Sequence, residues 1–216
     1  MYEAKSKEIV LRKVREALAK SAPFLPPTPD FSTSVYGPLL EDLSVLFAET
    51  FIRNSGTFVY CENEEDFFDQ LFAFKQERGL DNLYVWESPL KKILHAGGIH
   101  FNGSEEDFIG QAEAALTTCE ALIARTGSIL ISSANTSGRR LSVYPVMHLV
   151  VAKLSQLVPD IKQGLQFIQK KYDKRMPSMV SLVSGPSRTA DIEKTLVMGA
   201  HGPKELILFL IDDHTD

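Results

Sequence analysis

Short, wholly apolar stretches recur along this chain, bounded by turn residues and separated by helix-patterned segments. Leu206-Ile207-Leu208-Phe209-Leu210-Ile211 carries no polar residue on either face, and Ile129-Leu130-Ile131 repeats the pattern between serines. A strand that is apolar on both faces has to be covered on both, which is the condition of a parallel sheet layered between helices. Further strands are expected at 57–61, 83–86, 114–118, 146–153 and 179–183 from their β-branched and aromatic content. Helical patterns lie between them at 39–53, 62–78, 89–95 and 160–172, with a short helical turn at 120–125. The fold class expected is therefore α/β: a layered, mostly parallel sheet flanked by helices.

Residues 1–20 stand apart as an amphipathic helix, with Ile9, Val10, Val14, Ala17 and Leu18 on one stripe. Four prolines between Pro23 and Pro29 exclude helix and interior strand, so residues 21–38 read as an extended arm. The helix packs either on its own domain or on a partner. Residues 39–216 are expected to form one α/β domain.

A net charge of −5 argues against a general nucleic-acid binder, which carries a basic stripe. No apolar run reaches the ~20 residues of a membrane span. The charged start is unlike a signal peptide, so the cytoplasm is the expected compartment. The two cysteines, Cys61 and Cys119, are far apart. That spacing argues against a disulfide framework. An iron–sulfur cluster takes about four thiolates, so it cannot be held by this chain alone. The five histidines show no metal-ligand spacing. Walker A, G-x-G-x-x-G and G-x-S-x-G patterns are all absent.

Four segments could carry chemistry. In the first, Ser184-Gly185-Pro186-Ser187-Arg188-Thr189-Ala190-Asp191-Ile192-Glu193 leaves a strand, turns, and is read as entering a short helix. Ser187 or Thr189 would cap it. The helix N-terminus, with Ser184 and the other hydroxyls nearby, would suit a small anion. The plainer alternative is a cap whose acids, Asp191 and Glu193, complement the dipole. In the second, glycines flank His201 in Gly199-Ala200-His201-Gly202-Pro203. His201 is either an acid–base group or a ring that fixes the turn. In the third, Glu120 follows a strand end, placed for acid–base work or for capping a turn. In the fourth, Arg139 lies on a glycine-containing loop and could reach an anion, while His148 opens an apolar strand as a ligand contact or a satisfied core residue.

Taken together, Thr126-Gly127-Ser128, Arg139, Pro145 with His148, Ser184-Gly185-Pro186-Ser187, Asp191-Ile192-Glu193 and Gly199-Ala200-His201-Gly202-Pro203 resemble the LUD-domain family, lactate-utilisation protein C type. The resemblance spans roughly residues 40–212. It implies a fold similar to the sugar-phosphate isomerase and CoA-transferase superfamily. It also implies a place in a three-protein system that oxidises L-lactate to pyruvate. Iron–sulfur clusters are then expected only on the cysteine-rich partner proteins, with no cofactor in this chain. A free-standing enzyme or sensor for a phosphorylated sugar, an acyl-CoA or a hydroxy acid is the competing expectation, and whether the chain is itself catalytic stays open. Glu120 and His201 are the candidate catalysts. Arg139, His148, Ser184, Ser187, Thr189 and Asp191 are the candidate ligand contacts, all expected around one pocket. One departure stands out: family members often carry Thr-Gly-Ala-Asp where this chain has Thr117-Thr118-Cys119-Glu120, so Thr118 adds a side chain that could narrow a pocket.

Overall fold

The computed structural model describes residues 2–20, 28, 36–106, 108–135, 137–173, 175–192 and 195–214. The chain divides into two units, 1–38 and 39–216. The first unit holds α1 (Tyr2–Ala19), whose residues 6–20 are all exposed. Most of the proline-rich arm, 21–27 and 29–35, lies outside the described residues.

The second unit opens with α2 (Leu43–Arg53), started by the Asp42 carboxylate, which accepts from the Ser44 N–H at 2.8 Å. β1 (Thr57–Cys61) leads into α3 (Glu64–Arg78). Asn63 caps α3 by accepting from the Asp66 N–H at 2.9 Å, and three acids in its first turn complement the helix dipole. β2 (Leu83–Tyr84), α4 (Ser88–Ala96), α5 (Phe108–Gln111) and β3 (Ala114–Thr118) follow. Then come β4 (Ala121–Ile123), β5 (Ser128–Ser132), β6 (Met147–Lys153), β7 (Leu157–Val158) and α6 (Ile161–Tyr172). The chain continues through β8 (Val180–Val183), β9 (Arg188–Ile192), β10 (Thr195–Met198) and β11 (Glu205–Ile211).

Five strands form a parallel sheet in the order β1-β11-β6-β3-β2. Its faces bury different partners. Leu116, Leu149, Val151, Ile207 and Phe209 pack on one side against Phe67 and Leu71 of α3 and Leu90 and Leu94 of α4. Val150, Leu206, Leu208 and Leu210 pack on the other side against Phe47 and Phe51 of α2 and against a second sheet. This double burial explains why β11 is apolar on both faces. Each large side chain so buried contributes about 1.5–3 kcal/mol.

The second sheet, β7-β4-β5-β8, is mixed, with β5 antiparallel to both neighbours. It corrects the expected helical turn at 120–125: residues 121–123 are a strand, and only Ala124–Thr126 coil into a single 3₁₀ turn. Leu122 and Ile129 are fully buried against the parallel sheet, so this short apolar run is held by tertiary contact rather than by helix propensity. The short helix expected after Ser187 is a second correction. β9 instead pairs antiparallel with β10 as a two-stranded ribbon. Thr189 and Val197 oppose each other there, and a hydroxyl-rich, β-branched run finds in that partner strand the hydrogen bonds that a helix would otherwise supply.

Candidate functional site

The strand directions decide which sequence-singled residues can meet. His201 precedes the amino end of β11, where Glu205 is in register with Met147 of β6. Glu120 follows the carboxyl end of β3. The parallel strands all run the same way, so these two residues lie at opposite ends of the sheet. The single pocket expected around Glu120 and His201 therefore resolves into separate centres.

The first centre gathers three of the glycine-containing motifs at the amino end. The Ser128 hydroxyl donates to Thr126 Oγ1 at 2.8 Å and shares a 2.7 Å hydrogen bond with the Ser184 hydroxyl. The Ser187 N–H donates to the Pro203 carbonyl at 2.9 Å, and the Gly199 N–H donates to the Ser187 carbonyl at 2.9 Å. Ser184, Ser187 and His201 are thus neighbours, with Thr189 two residues along β9. Ser184 and His201 are exposed; Ser187 and Thr189 are half-buried. Asp191 lies on β9, and its side chain falls outside the described residues, as does Glu193.

The glycines of this centre have a packing reason. Gly127 has φ +53, and a Cβ built on it would lie 2.4 Å from the Phe51 nitrogen. Gly185 has φ +95, and its Cβ would lie 2.2 Å from the Asn54 carbonyl oxygen. Both φ values fall in the left-handed region that L side chains avoid. Asn54 donates from Nδ2 to the Thr126 carbonyl at 2.8 Å, and the Arg188 guanidinium donates to the Asn54 carbonyl. Thr-Gly-Ser and Ser-Gly-Pro-Ser therefore form the socket that receives the carboxyl end of α2. Arg188 supplies the cation that the helix end favours.

The second centre lies beyond the carboxyl ends of the parallel strands. Glu120 is 1% exposed, yet its carboxylate is well supplied with donors. Oε1 accepts from Ser132 at 2.6 Å and from Tyr172 at 2.7 Å, and Oε2 accepts from Lys171 at 2.8 Å. Burial alone would raise its pKa. The hydrogen bonds from Lys171, Ser132 and Tyr172 and the lysine charge outweigh burial and hold it below its usual value. An ionised carboxylate so engaged clamps β4, the end of β5 and the end of α6 together. Arg139, exposed on the loop after β5, reaches this side of the second sheet by donating to the Ser178 hydroxyl at 3.3 Å, which in turn contacts Ser133 at 3.1 Å.

Beside it stands Glu87, 5% exposed, which the sequence reading did not single out. It accepts from the Thr118 N–H at 3.1 Å, from the Thr118 hydroxyl, and from the Ser137 hydroxyl at 2.8 Å. Asn135 Nδ2 donates to Thr118 Oγ1 at 3.2 Å. Thr118, the departure from the family pattern, is thus what anchors this buried carboxylate. The available signal was a lone acid at a strand end ahead of Ser88-Pro89, a helix start.

His148 belongs to neither centre. It is 1% exposed on β6, and its Nε2 lies 2.9 Å from the Thr117 hydroxyl. Burial pushes its pKa down to about 4, so the ring is neutral at pH 7. Its Nδ1 and the hydroxyl of fully buried Tyr84 have no hydrogen-bond partner among the described residues. The described residues contain no group of three or more His, Cys, Asp or Glu placed to hold a metal ion, and no described helix is long and apolar enough to cross a membrane.

Comparison with known proteins agrees with this architecture. A solved structure of a DUF162 family protein from Deinococcus radiodurans superposes with a TM-score of 0.55 at 19% identity, covering 78% of this chain and 96% of that one, which speaks to the fold. Lactate utilization protein C of Geobacillus sp. (strain WCH70) is 29% identical over 140 residues, 63% of this chain and 58% of the relative. Lactate utilization protein C 1 of Bacillus mycoides (strain KBAB4) is 33% identical over 126 residues, 54% of each. The chain spans about half the length of these curated relatives. The LUD domain model matches residues 104–211, half of the chain and the part that holds the Thr-Gly-Ser, Ser-Gly-Pro-Ser and His-Gly-Pro motifs, so the chain belongs to the LUD-domain family.

Proposed function

We propose that this chain works in lactate utilisation as the subunit without a cluster in a system that oxidises L-lactate to pyruvate. In this reading it acts in the cytoplasm beside cysteine-rich iron–sulfur proteins, which carry the electrons. It would hold a small organic anion at the amino-end centre through Ser184, Ser187, Thr189 and His201. The observations that support the reading are the similarity to lactate utilization protein C and the LUD domain match over residues 104–211, the stretch that contains these motifs. The cysteines fit it. Cys61 and Cys119 are both buried; burial pushes the Cys61 thiol up to about 12 and raises that of Cys119 as well. Thiols of that kind are poor metal ligands and poor nucleophiles.

The test is an anaerobic pull-down of the tagged chain from its own cells, paired with L-lactate consumption in a deletion strain. Co-purification of iron-containing partners, and growth on lactate restored by the wild-type gene, are the expected results. Recovery of the chain alone, with unimpaired lactate consumption in the deletion strain, would refute the assignment. It would favour a free-standing protein that recognises a phosphorylated sugar, an acyl-CoA or a hydroxy acid. Thermal-shift measurements with those metabolites would then show it, because a ligand at 100 times its Kd stabilises by about 2.7 kcal/mol.

A further inference from the structure

A pocket of about 240 Å³ opens at the carboxyl ends of β3, β6 and β11, against the first turns of α3 and α4. It is the other end of the sheet from His201. In parallel α/β sheets the crevice beyond the strand carboxyl ends is a frequent place for a ligand. Phe67, Leu90, Cys119, Val151 and Ile211 give it a buried apolar lining, with half-buried Ile93 closing one wall. Its charged lining residues, Lys153 and Glu64, are both exposed and so form the rim. Gln156 is fixed between them and the floor: it donates from Nε2 to the Cys119 carbonyl at 2.8 Å and accepts from the Lys153 N–H at 2.8 Å.

We propose that this pocket binds a monocarboxylate with an aliphatic body of about five carbons, chain inward and carboxylate at the Lys153 ammonium. Size, polarity and charge each narrow the choice. An apolar cavity of about 150 Å³ accommodates benzene, six heavy atoms, so one of this size takes roughly nine. Lactate and pyruvate are smaller and would leave the walls of Phe67, Leu90, Val151 and Ile211 uncovered, and the polar lining groups of Thr118 and Gln156 already bond within the protein, to Glu87 and to the Cys119 carbonyl. Among the residues that line the pocket Lys153 supplies one positive charge, enough for one carboxylate, and the acidic Glu64 disfavours a phosphate or a dicarboxylate. The assignment stands apart from the lactate-system reading and does not depend on it.

The experiment is calorimetric titration of the full chain with propanoate, butanoate, hexanoate and octanoate, with hexanol and hexylamine as controls. Burying each added methylene is expected to tighten binding about fourfold up to hexanoate. The gain should stop at octanoate, once the pocket is full. Hexanoate should bind about two- to fivefold tighter than hexanol or hexylamine, the range an exposed ion pair supplies, and Lys153→Met should erase that preference; Lys153 is exposed, so folding is spared. Ile93→Trp should abolish binding by filling the space. Should that variant misfold, nuclear Overhauser contacts between the hexanoate methyl and the Ile93 and Ile211 methyls locate the site in the wild type. A flat affinity series, hexanol binding as tightly as hexanoate, or contacts only to other residues would overturn the proposal. Loss of lactate growth with normal hexanoate binding, or the reverse, separates the two readings.

Discussion

Replacing Gly127 by alanine tests whether the Thr-Gly-Ser motif exists to seat α2. Two costs arise. The left-handed φ of +53 penalises any L side chain by about 1–2 kcal/mol. The new Cβ would also stand 2.4 Å from the Phe51 nitrogen and 2.5 Å from the Thr50 carbonyl carbon, both backbone atoms of α2 that no rotamer change can move. Restoring ordinary contact requires the helix end to retreat by about 1 Å, which loosens Phe47 and Phe51 in a core of crystal-like density. Both rings are 0% exposed and stacked with centroids 5.6 Å apart. Overpacking of this sort costs about 1–3 kcal/mol. The sum is about 2–5 kcal/mol, or at its midpoint a melting temperature lower by roughly 10 °C for a domain of this size. Gly138→Ala is the internal control: φ is +57 with nothing within 4 Å of the added Cβ, so only the left-handed cost applies, about 1–2 kcal/mol. Urea unfolding followed by circular dichroism, with equal m-values, measures both. Equal losses at the two glycines would refute the seating argument and free the motif for a direct role at a ligand.

Three further outcomes follow from the buried titrating groups. Glu120 has a lowered pKa when folded, so its stabilisation is present above the usual value of 4.5 and is lost as pH falls through the folded value; the stability gap between wild type and Glu120→Gln should close on acidification below about pH 4.5, and a pH-independent gap would contradict the clamp. His148 is held neutral down to about pH 4, so between the ordinary 6.5 and that value the unfolded chain takes up a proton that the folded chain refuses, and stability should fall by up to about 3 kcal/mol as pH drops; His148→Gln should flatten that part of the urea-unfolding profile, and an unchanged slope would refute it. Cys61 and Cys119 should ignore a thiol-reactive dye at pH 8 in the folded protein and both react once it is denatured, whereas rapid labelling of the native chain would show that a thiolate is accessible.

The longer strands of the parallel sheet were legible because their signal is local: Leu206–Ile211 can be buried only from both sides, whereas the strand expected at 83–86 stops at Tyr84. The helix at 64–78 was legible for a similar reason, since Asn63, three first-turn acids and Gly79 punctuate it within its own sequence. The family was legible through Thr126-Gly127-Ser128, Ser184–Ser187 and His201-Gly202-Pro203, because residues that seat one element against another are read as motifs even before their partner is known.

What the tertiary structure alone decided is non-local. Whether Thr189 belongs to a helix or a strand depends on β10 being there to pair with it. Glu87 and Thr118 are thirty-one residues apart and meet only because β2 and β3 are neighbours in the sheet. Glu120 and His201 both flank strands, but one follows a carboxyl end and the other precedes an amino end. Strand direction is set by how the whole sheet is wound, so no reading of residue types along the chain separates those two ends. Local residue pattern is enough to specify an α/β core with polar motifs at its strand ends; the packing of strand on strand sets which of those motifs face the same side.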